Sequence, residues 1–184
     1  MTLRQLVAED LRAWKQLGLL GSRRATGPVS LREALTLIWR YPGVRATVLF
    51  RLSHVAHVRH VPVIPMVLAR RNLRRWGLDI PPHVPVGGGL YIPHPVGTVI
   101  TARSIGRNCH IISAVTIGMR NTWEFPLIGD DVTIGAGARI LGSVTIGDGA
   151  QIGANAVVLG DVPAGATAVG IPARIVQRAG LAAR

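Results

Sequence analysis

IGDDVTIGAGARILGSVTIGDGAQIGANAVV, Ile128–Val158, carries an aliphatic residue at every sixth position: Ile128, Ile134, Ile140, Ile146, Ile152 and Val158. The pattern extends upstream through Ile80, Val86 and Ile92, then through Val99, Ile105, Ile111 and Ile117. Six of these positions precede glycine: Gly106, Gly118, Gly129, Gly135, Gly147 and Gly153. Four residues after the aliphatic one stands a second small or branched residue, as at Val132, Ala138, Val144, Ala150, Ala156 and Val162. A six-residue period is the signature of a parallel β-helix. Each unit is a short strand plus a corner, and glycine is expected to ease the turn. Three units make one triangular coil, and coils stack at roughly 4.8 Å, the strand spacing. A β-sandwich with regular turns is the alternative, but it does not hold a strict six-residue phase from Ile80 to Val162.

The phase slips twice. One extra residue lies between Ile92 and Val99, around His94, and five lie between Ile117 and Ile128, in Met119–Leu127. Insertions in a solenoid become surface loops, often on the binding face.

The flanks read differently. Residues 1–77 form a helical region, 78–162 the β-helix, and 163–184 a C-terminal segment and tail. Leu3, Leu6, Val7, Leu11 and Trp14 share a helical face over residues 3–16, opened by a Thr2/Gln5 capping box. Ser30 and Glu33 form a second box, opening a helix to about Arg40 with Leu31, Leu35 and Ile38 aligned. Pro42-Gly43 is read as its stop. A third helix spans Val44–Arg59 with Val44, Val48, Leu52 and Val55 as its stripe. A short basic helix then runs to Trp76 and ends at Gly77. Gly21–Val29 reads as a loop, and the tail from Gln177 as frayed.

Composition narrows the function. Residues 1–76 hold thirteen Arg, one Lys and three acids, a net of +11, whereas residues 77–184 net only +1. No aromatic-interleaved or recognition motif accompanies the charge, so nucleic acid is not expected as a partner; a membrane surface stays open. The single cysteine, Cys109, falls at an inward small-residue position and reads as packing. Met1–Trp14 is polar and charged, without a secretory signal pattern, and Val61–Ala69 is too short to span a bilayer. A soluble cytoplasmic protein is the expectation.

Two further segments, Ile134–Gly142 and Val169–Arg174, together with Ile152–Leu159, make the chain resemble the hexapeptide-repeat acyltransferases. The resemblance implies a left-handed parallel β-helix, acetyl-CoA as co-substrate, and trimers, or dimers of trimers, with ligands between subunits. Tyr41–Ala46, Phe50–His54, Asp79-Ile80 with Ile92-Pro93-His94, and Val115–Gly118 are similar to serine O-acetyltransferases over roughly residues 31–176. That resemblance implies a cysteine-biosynthesis role, with His94 and Asp79 catalytic and no metal. His94 would take a proton from an acceptor hydroxyl and Asp79 would fix its tautomer; a backbone N–H near Gly118 is the candidate oxyanion donor. The cofactor positions carried over are Gly118, Ala136, Gly137, Ala154, Ile171, Pro172 and Arg174, the last as a phosphate contact.

Independent of the family, Ile80 and Val99 count as one coil apart, which brings Asp79 and His94 toward one corner. His54, His57 and His60 lie on a helix without metal-ligand closure; His83 is a rim candidate and His110 a second candidate near the site. The chain departs from the family where the amino-acid acceptor is held. Pro93 replaces an acid before the base, Glu124-Phe125-Pro126 replaces Arg-His-Pro, and Gly27-Pro28 replaces Asp-Pro. Pro93, Trp123, Glu124 and Phe125 are the candidate acceptor contacts, and these exchanges weaken recognition of a zwitterion. Serine or a related small hydroxylated molecule is the expected acceptor. A sugar O-acetyltransferase, with Trp123 and Phe125 stacked on a ring, and a non-catalytic β-helix scaffold are the alternatives.

Overall fold

The computed structural model describes residues 1–17 and 27–176 of the 184-residue chain. Most of the Gly21–Val29 loop and the tail from Gln177 lie outside the described residues. Four helices come first: α1 (Leu3–Gln16), α2 (Leu31–Arg40), α3 (Pro42–Val58) and α4 (Ile64–Trp76). Both capping boxes form, with Thr2 N donating to Gln5 Oε1 at 2.8 Å and Ser30 N to Glu33 Oε2 at 2.8 Å. Gly77 closes α4 in the left-handed region, φ 68°.

Three helical expectations need correction. Pro42-Gly43 does not stop α2 so much as begin α3: Pro42 occupies its first turn, where a missing N–H costs nothing. In α2 the buried face is Ala34, Leu37 and Ile38, while Leu31 and Leu35 are exposed. In α3 the stripe is too narrow. Leu52 is exposed, and Ala46, Thr47, Phe50, Arg51 and Ser53 are buried, because other helices and the first coil cover several sides of α3.

Arg51 and Asp10 tie the helices to the coil. Arg51 Nε and Nη2 grip the Asp10 carboxylate at 2.8 and 3.0 Å, Nη1 donates to Val86 O at 2.7 Å, and Leu90 N donates to Asp10 Oδ1 at 2.8 Å. The pair is buried but every charge has several partners, the condition for tolerating burial. Trp14 packs on Tyr41 and Tyr91, with centroids 5.2 and 4.7 Å apart.

The coil begins with β1 (Leu78–Asp79), β2 (Thr98–Ile100), β3 (Ser104–Ile105), β4 (His110–Ile111) and β5 (Thr116–Gly118). It continues with β6 (Leu127–Ile128), β7 (Thr133–Ile134), β8 (Arg139–Leu141), β9 (Thr145–Ile146), β10 (Gln151–Ile152) and β11 (Val157–Val158). It closes with β12 (Thr167–Gly170) and β13 (Ala173–Val176). These strands form three faces: β1-β2-β5-β8-β11, β3-β6-β9, and β4-β7-β10-β12-β13. All pairings are parallel except β12 with β13, an antiparallel hairpin. Ile128 pairs with Ile146, Ile134 with Ile152, and Ile140 with Val158, the eighteen-residue step of three hexapeptides. The second small-residue position is buried at every coil from Cys109 to Val162, and all of these residues belong to one continuous core.

The structure corrects the phase after Ile92. Asp79 pairs with Val99, so Ile80 aligns with Ile100, not with Val99. Thr98 and Ile100 point inward, while Val99 is 38% exposed. The insertion after Ile92 is therefore two residues, and the next unit is one short.

Glycine's role also differs from the expectation. The left-handed residue at a corner comes three positions after the isoleucine: Asn108, Ala114, Asp131, Gly137, Gly149 and Asn155. Except at Gly118, the glycine directly after the isoleucine serves close stacking. A Cβ at Gly135 would lie 2.5 Å from Ala154 N, and one at Gly106 2.5 Å from the Gly129 carbonyl carbon. Only a missing side chain lets successive coils approach that closely.

Candidate functional site

His94 sits in the turn that carries the third face of the first coil into the first face of the next. Its N–H donates to Ile112 O at 3.3 Å, and the residue bridges Ser113 on the coil above. Gly137 N donates to Ser113 O at 2.8 Å, and Asn155 N to Ala136 O at 2.8 Å. The corner is thus a hydrogen-bonded column: His94, Ser113, Ala136-Gly137, Ala154-Asn155. Above it stands the β12–β13 turn, because Gly153 N donates to Ala168 O at 2.8 Å and the strand runs on to Ile171 and Pro172. Four coil steps separate His94 from this turn, roughly 19 Å at the strand spacing. His94 is exposed on the surface of the column, and Ile171, 74% exposed, marks its far end.

Asp79 ends β1 with its side chain outward, between inward Leu78 and Ile80. Its strand partner Val99 lies five residues beyond His94, so the fold carries both residues to the same end of the first face. Among the described residues no hydrogen bond links the two side chains. The turn between them is buttressed from below: Gly97 N donates to Gly77 O at 3.1 Å, and Thr98 N to Pro95 O at 3.1 Å.

Of the sequence-derived cofactor positions, Ala136, Gly137, Ala154, Ile171 and Pro172 fall in this column. Arg174 is exposed on β13 opposite Val169. Gly118 does not join them. It ends β5 farther along the first face, opposite Leu141, with open space where a side chain would be.

The candidate acceptor contacts in the 119–127 loop occupy the other edge of that face. Trp123 and Phe125 meet edge to face at 6.1 Å, and Thr122 Oγ1 donates to Glu124 Oε2 at 3.1 Å. With His83, Arg103 and Ser143 they line a groove of about 530 Å³. Trp123 is 82% exposed. Within the chain, then, Pro93 and His94 stand at one corner, and Trp123, Glu124 and Phe125 at the next. Gly27 and Pro28 belong to the helical region, where the Pro28 carbonyl accepts from Lys15 Nζ at 3.0 Å.

The other histidines have separate surroundings. His54 Nδ1 is 2.8 Å from Pro82 O, and burial holds its pKa below the ordinary value against that hydrogen bond. His57 packs edge to face on His83. His110 meets Tyr91 edge to face at 5.4 Å on the third face beside α1, and burial lowers its pKa too. Among the described residues no three metal-ligating side chains converge.

Three contributors were not singled out from sequence. Arg139 Nη1 donates to Ala114 O at 2.6 Å and Gly137 O at 3.0 Å, placing a half-buried cation against the corner column. Ala114, next to Ser113, holds φ 51°, an unusual conformation for alanine. Gly43 seats the start of α3 directly on the Ile92 and Pro93 carbonyls. Only Gly43 left a trace in the sequence, as the glycine after Pro42.

Comparison with known proteins agrees with this architecture. Residues 125–160 match the model for bacterial transferase hexapeptide, six repeats. Serine acetyltransferase of Synechococcus elongatus is 38% identical over 154 residues, 82% of this chain and 63% of the relative. That of Helicobacter pylori strain J99 is 39% identical over 151 residues, 80% of this chain and 88% of the relative. The chain thus spans less than two thirds of the cyanobacterial relatives it matches. Soybean serine acetyltransferase complexed with serine superposes with a TM-score of 0.83 at 35% identity, covering 95% of this chain and 69% of that one. A serine acetyltransferase complex with CoA gives 0.81 at 30% identity, with 95% and 69% covered. The fold is the left-handed parallel β-helix of these proteins, with an α-helical N-terminal region.

Proposed function

The chain belongs to the serine acetyltransferase family, and on that premise we propose that it is an acetyl-CoA-dependent O-acetyltransferase acting on serine or a similar small hydroxylated acceptor. The observation that carries the reading is the corner column. It joins the one exposed histidine of the insertion turn to five of the positions where related enzymes are expected to hold CoA. The column suits an extended ligand: Ala136 and Ala154 present only methyl groups along it and Gly137 bare backbone, and Arg174 supplies a cation for a phosphate near its far end.

Acetyl-CoA supplies the acyl thioester. His94 takes the acceptor hydroxyl proton as the oxygen attacks the carbonyl carbon, then delivers it to the departing sulfur, so protons balance. Asp79 orients the imidazole and stabilises its protonated form. Arg139 stiffens the corner by holding the Ala114 and Gly137 carbonyls. Pro93 and the loop residues Trp123, Glu124 and Phe125 contact the acceptor. Because that loop and His94 lie at different corners of one subunit, the site is completed by a neighbouring copy, in a trimer or a pair of trimers.

A sugar acceptor is the second reading. It is favoured by the exposed Trp123 ring beside Phe125, an apolar surface where the family's Arg-His-Pro would stand.

The test is thiol release from acetyl-CoA, with L-serine or a panel of sugars as acceptor. His94→Ala is expected to lower kcat by about 10²–10⁴-fold while leaving the circular dichroism spectrum unchanged. Undiminished turnover by that variant would remove His94 as the base. Turnover with sugars alone would transfer the assignment to a glycan acceptor.

A further inference from the structure

The face of α4 turned to solvent combines arginines with exposed aliphatic side chains. Arg70, Arg71, Arg74 and Arg75 are all exposed and, with Val67, line a surface groove of about 480 Å³. Beside them Val63, Ile64, Met66 and Leu73 are exposed at 73, 51, 53 and 46%. Pro65 and Asn72 mark the opposite, buried side, where Asn72 Nδ2 donates to Ala46 O at 3.0 Å. The helix is therefore split: its first turns offer apolar side chains and its last two turns offer guanidinium groups.

The charges are uncompensated. No Asp or Glu occurs anywhere between Glu33 and Asp79. Among the described residues none of the four arginines takes part in an ion pair. Docking two copies of this face about a two-fold axis would set arginine against arginine in a drying interface, with no acid in the α3–α4 hairpin to offset the repulsion. The occupant must supply both negative charge and an apolar layer.

We propose that this face of α4 docks on an anionic lipid bilayer. Arg70, Arg71, Arg74 and Arg75 contact headgroup phosphates, and Ile64, Met66 and Val67 enter the headgroup–acyl boundary. A basic amphipathic helix lying in the interface plane binds in this way. The attachment is peripheral: no helix of the described residues is long and apolar enough to cross a membrane. It places the enzyme at the membrane surface.

Sedimentation with sucrose-loaded vesicles tests the proposal, using phosphatidylcholine alone and phosphatidylcholine mixed with phosphatidylglycerol. The full chain should bind the mixed vesicles and not the neutral ones. Each arginine near an anionic surface is worth roughly a fivefold gain in partitioning. The combined variant Arg70→Gln, Arg71→Gln, Arg74→Gln, Arg75→Gln should therefore bind at least about a hundredfold more weakly with an unchanged circular dichroism spectrum. The matching four-lysine variant should retain binding, which separates charge from any folding defect. Raising salt to 1 M, where screening shortens to about 3 Å, should release the protein. Absence of binding to mixed vesicles, or full binding by the glutamine variant, overturns the proposal. So does lipid-free self-association that the glutamine variant abolishes, which would make the face an interface between copies.

Discussion

Replacing Gly43 by alanine isolates what the helical region does for the reaction. Gly43 is the second residue of α3 and lies against the backbone that leads into His94. An added methyl would collide with the Ile92 carbonyl oxygen and stand 3.0 Å from that of Pro93, inside the 3.4 Å where ordinary contact begins. Both obstacles are backbone, so no side chain can swing away. Either the helix start or the Ile92–His94 segment must move by roughly 1 Å, a misplacement that costs about 10²-fold when it reaches the reacting geometry. Stability should suffer much less. Overpacking costs about 1–3 kcal/mol, and alanine over glycine in a helix returns about 1 kcal/mol. The net of about 0–2 kcal/mol corresponds to a melting temperature lower by at most about 8 °C for a chain of this size. Initial rates of thiol release and thermal circular dichroism would be measured on the same preparation. The expected result is a kcat about a hundredfold lower on a protein that still folds. A kcat within about threefold of the parent, at an unchanged melting temperature, would refute the coupling between α3 and the His94 turn.

Other consequences can be checked by equilibrium methods. Asp10→Ala leaves the Arg51 guanidinium buried without its carboxylate, and urea unfolding should show a loss of about 3–5 kcal/mol; a loss under about 1 kcal/mol would mean that Val86, Gly87 and solvent satisfy Arg51. Burial keeps the His54 ring neutral in the fold below the pH near 6.5 where the unfolded chain takes a proton. Unfolding then takes up a proton at pH values between the lowered folded value and 6.5, so stability present above that window is lost as pH falls through it. His54→Gln should flatten the drop in urea midpoint on acidification, although His110 contributes in the same direction; an unaltered slope would dismiss His54 as its source. The Cys109 thiol is pushed up to about 12 by burial, so at pH 8 its thiolate is roughly a thousandfold scarcer than at an ordinary cysteine. Native protein should resist alkylation and react fully only when unfolded; rapid native labelling would contradict its packing beside Gly129.

The sequence made the solenoid readable because buried isoleucine recurs with a period no sandwich maintains. It failed at Val99-Ile100, where the six-residue count to Ile105 favours Val99 and only strand pairing and burial select Ile100 as the inward residue. Counting also misassigned the glycines: the requirement at Gly135 or Gly106 is the approach of the neighbouring coil, which no single coil's sequence reveals. Pro42-Gly43 carries two signals at once. Proline opens one helix where it was read as closing another, and the glycine answers to a carbonyl fifty residues away in sequence. The candidate base was legible because an insertion marks its turn. Arg139 was not, since an outward arginine after an inward alanine resembles any solvated residue until its carbonyl partners are seen.

The hairpin that ends the coil has a consequence for solubility. A parallel β-helix is an open template at its last rung, since each face presents unpaired backbone groups to any strand that arrives. Here β13 folds back on β12 and takes up that pairing on the third face, so the stack ends on a four-residue antiparallel strand with exposed Arg174 in it. A chain cut after Gly170 would keep every inward ladder and lose this stop. Its third face would then be open to the strands of other molecules, and size-exclusion chromatography should show the shortened chain associating further than the full chain does; equal elution would dismiss β13 as a stop.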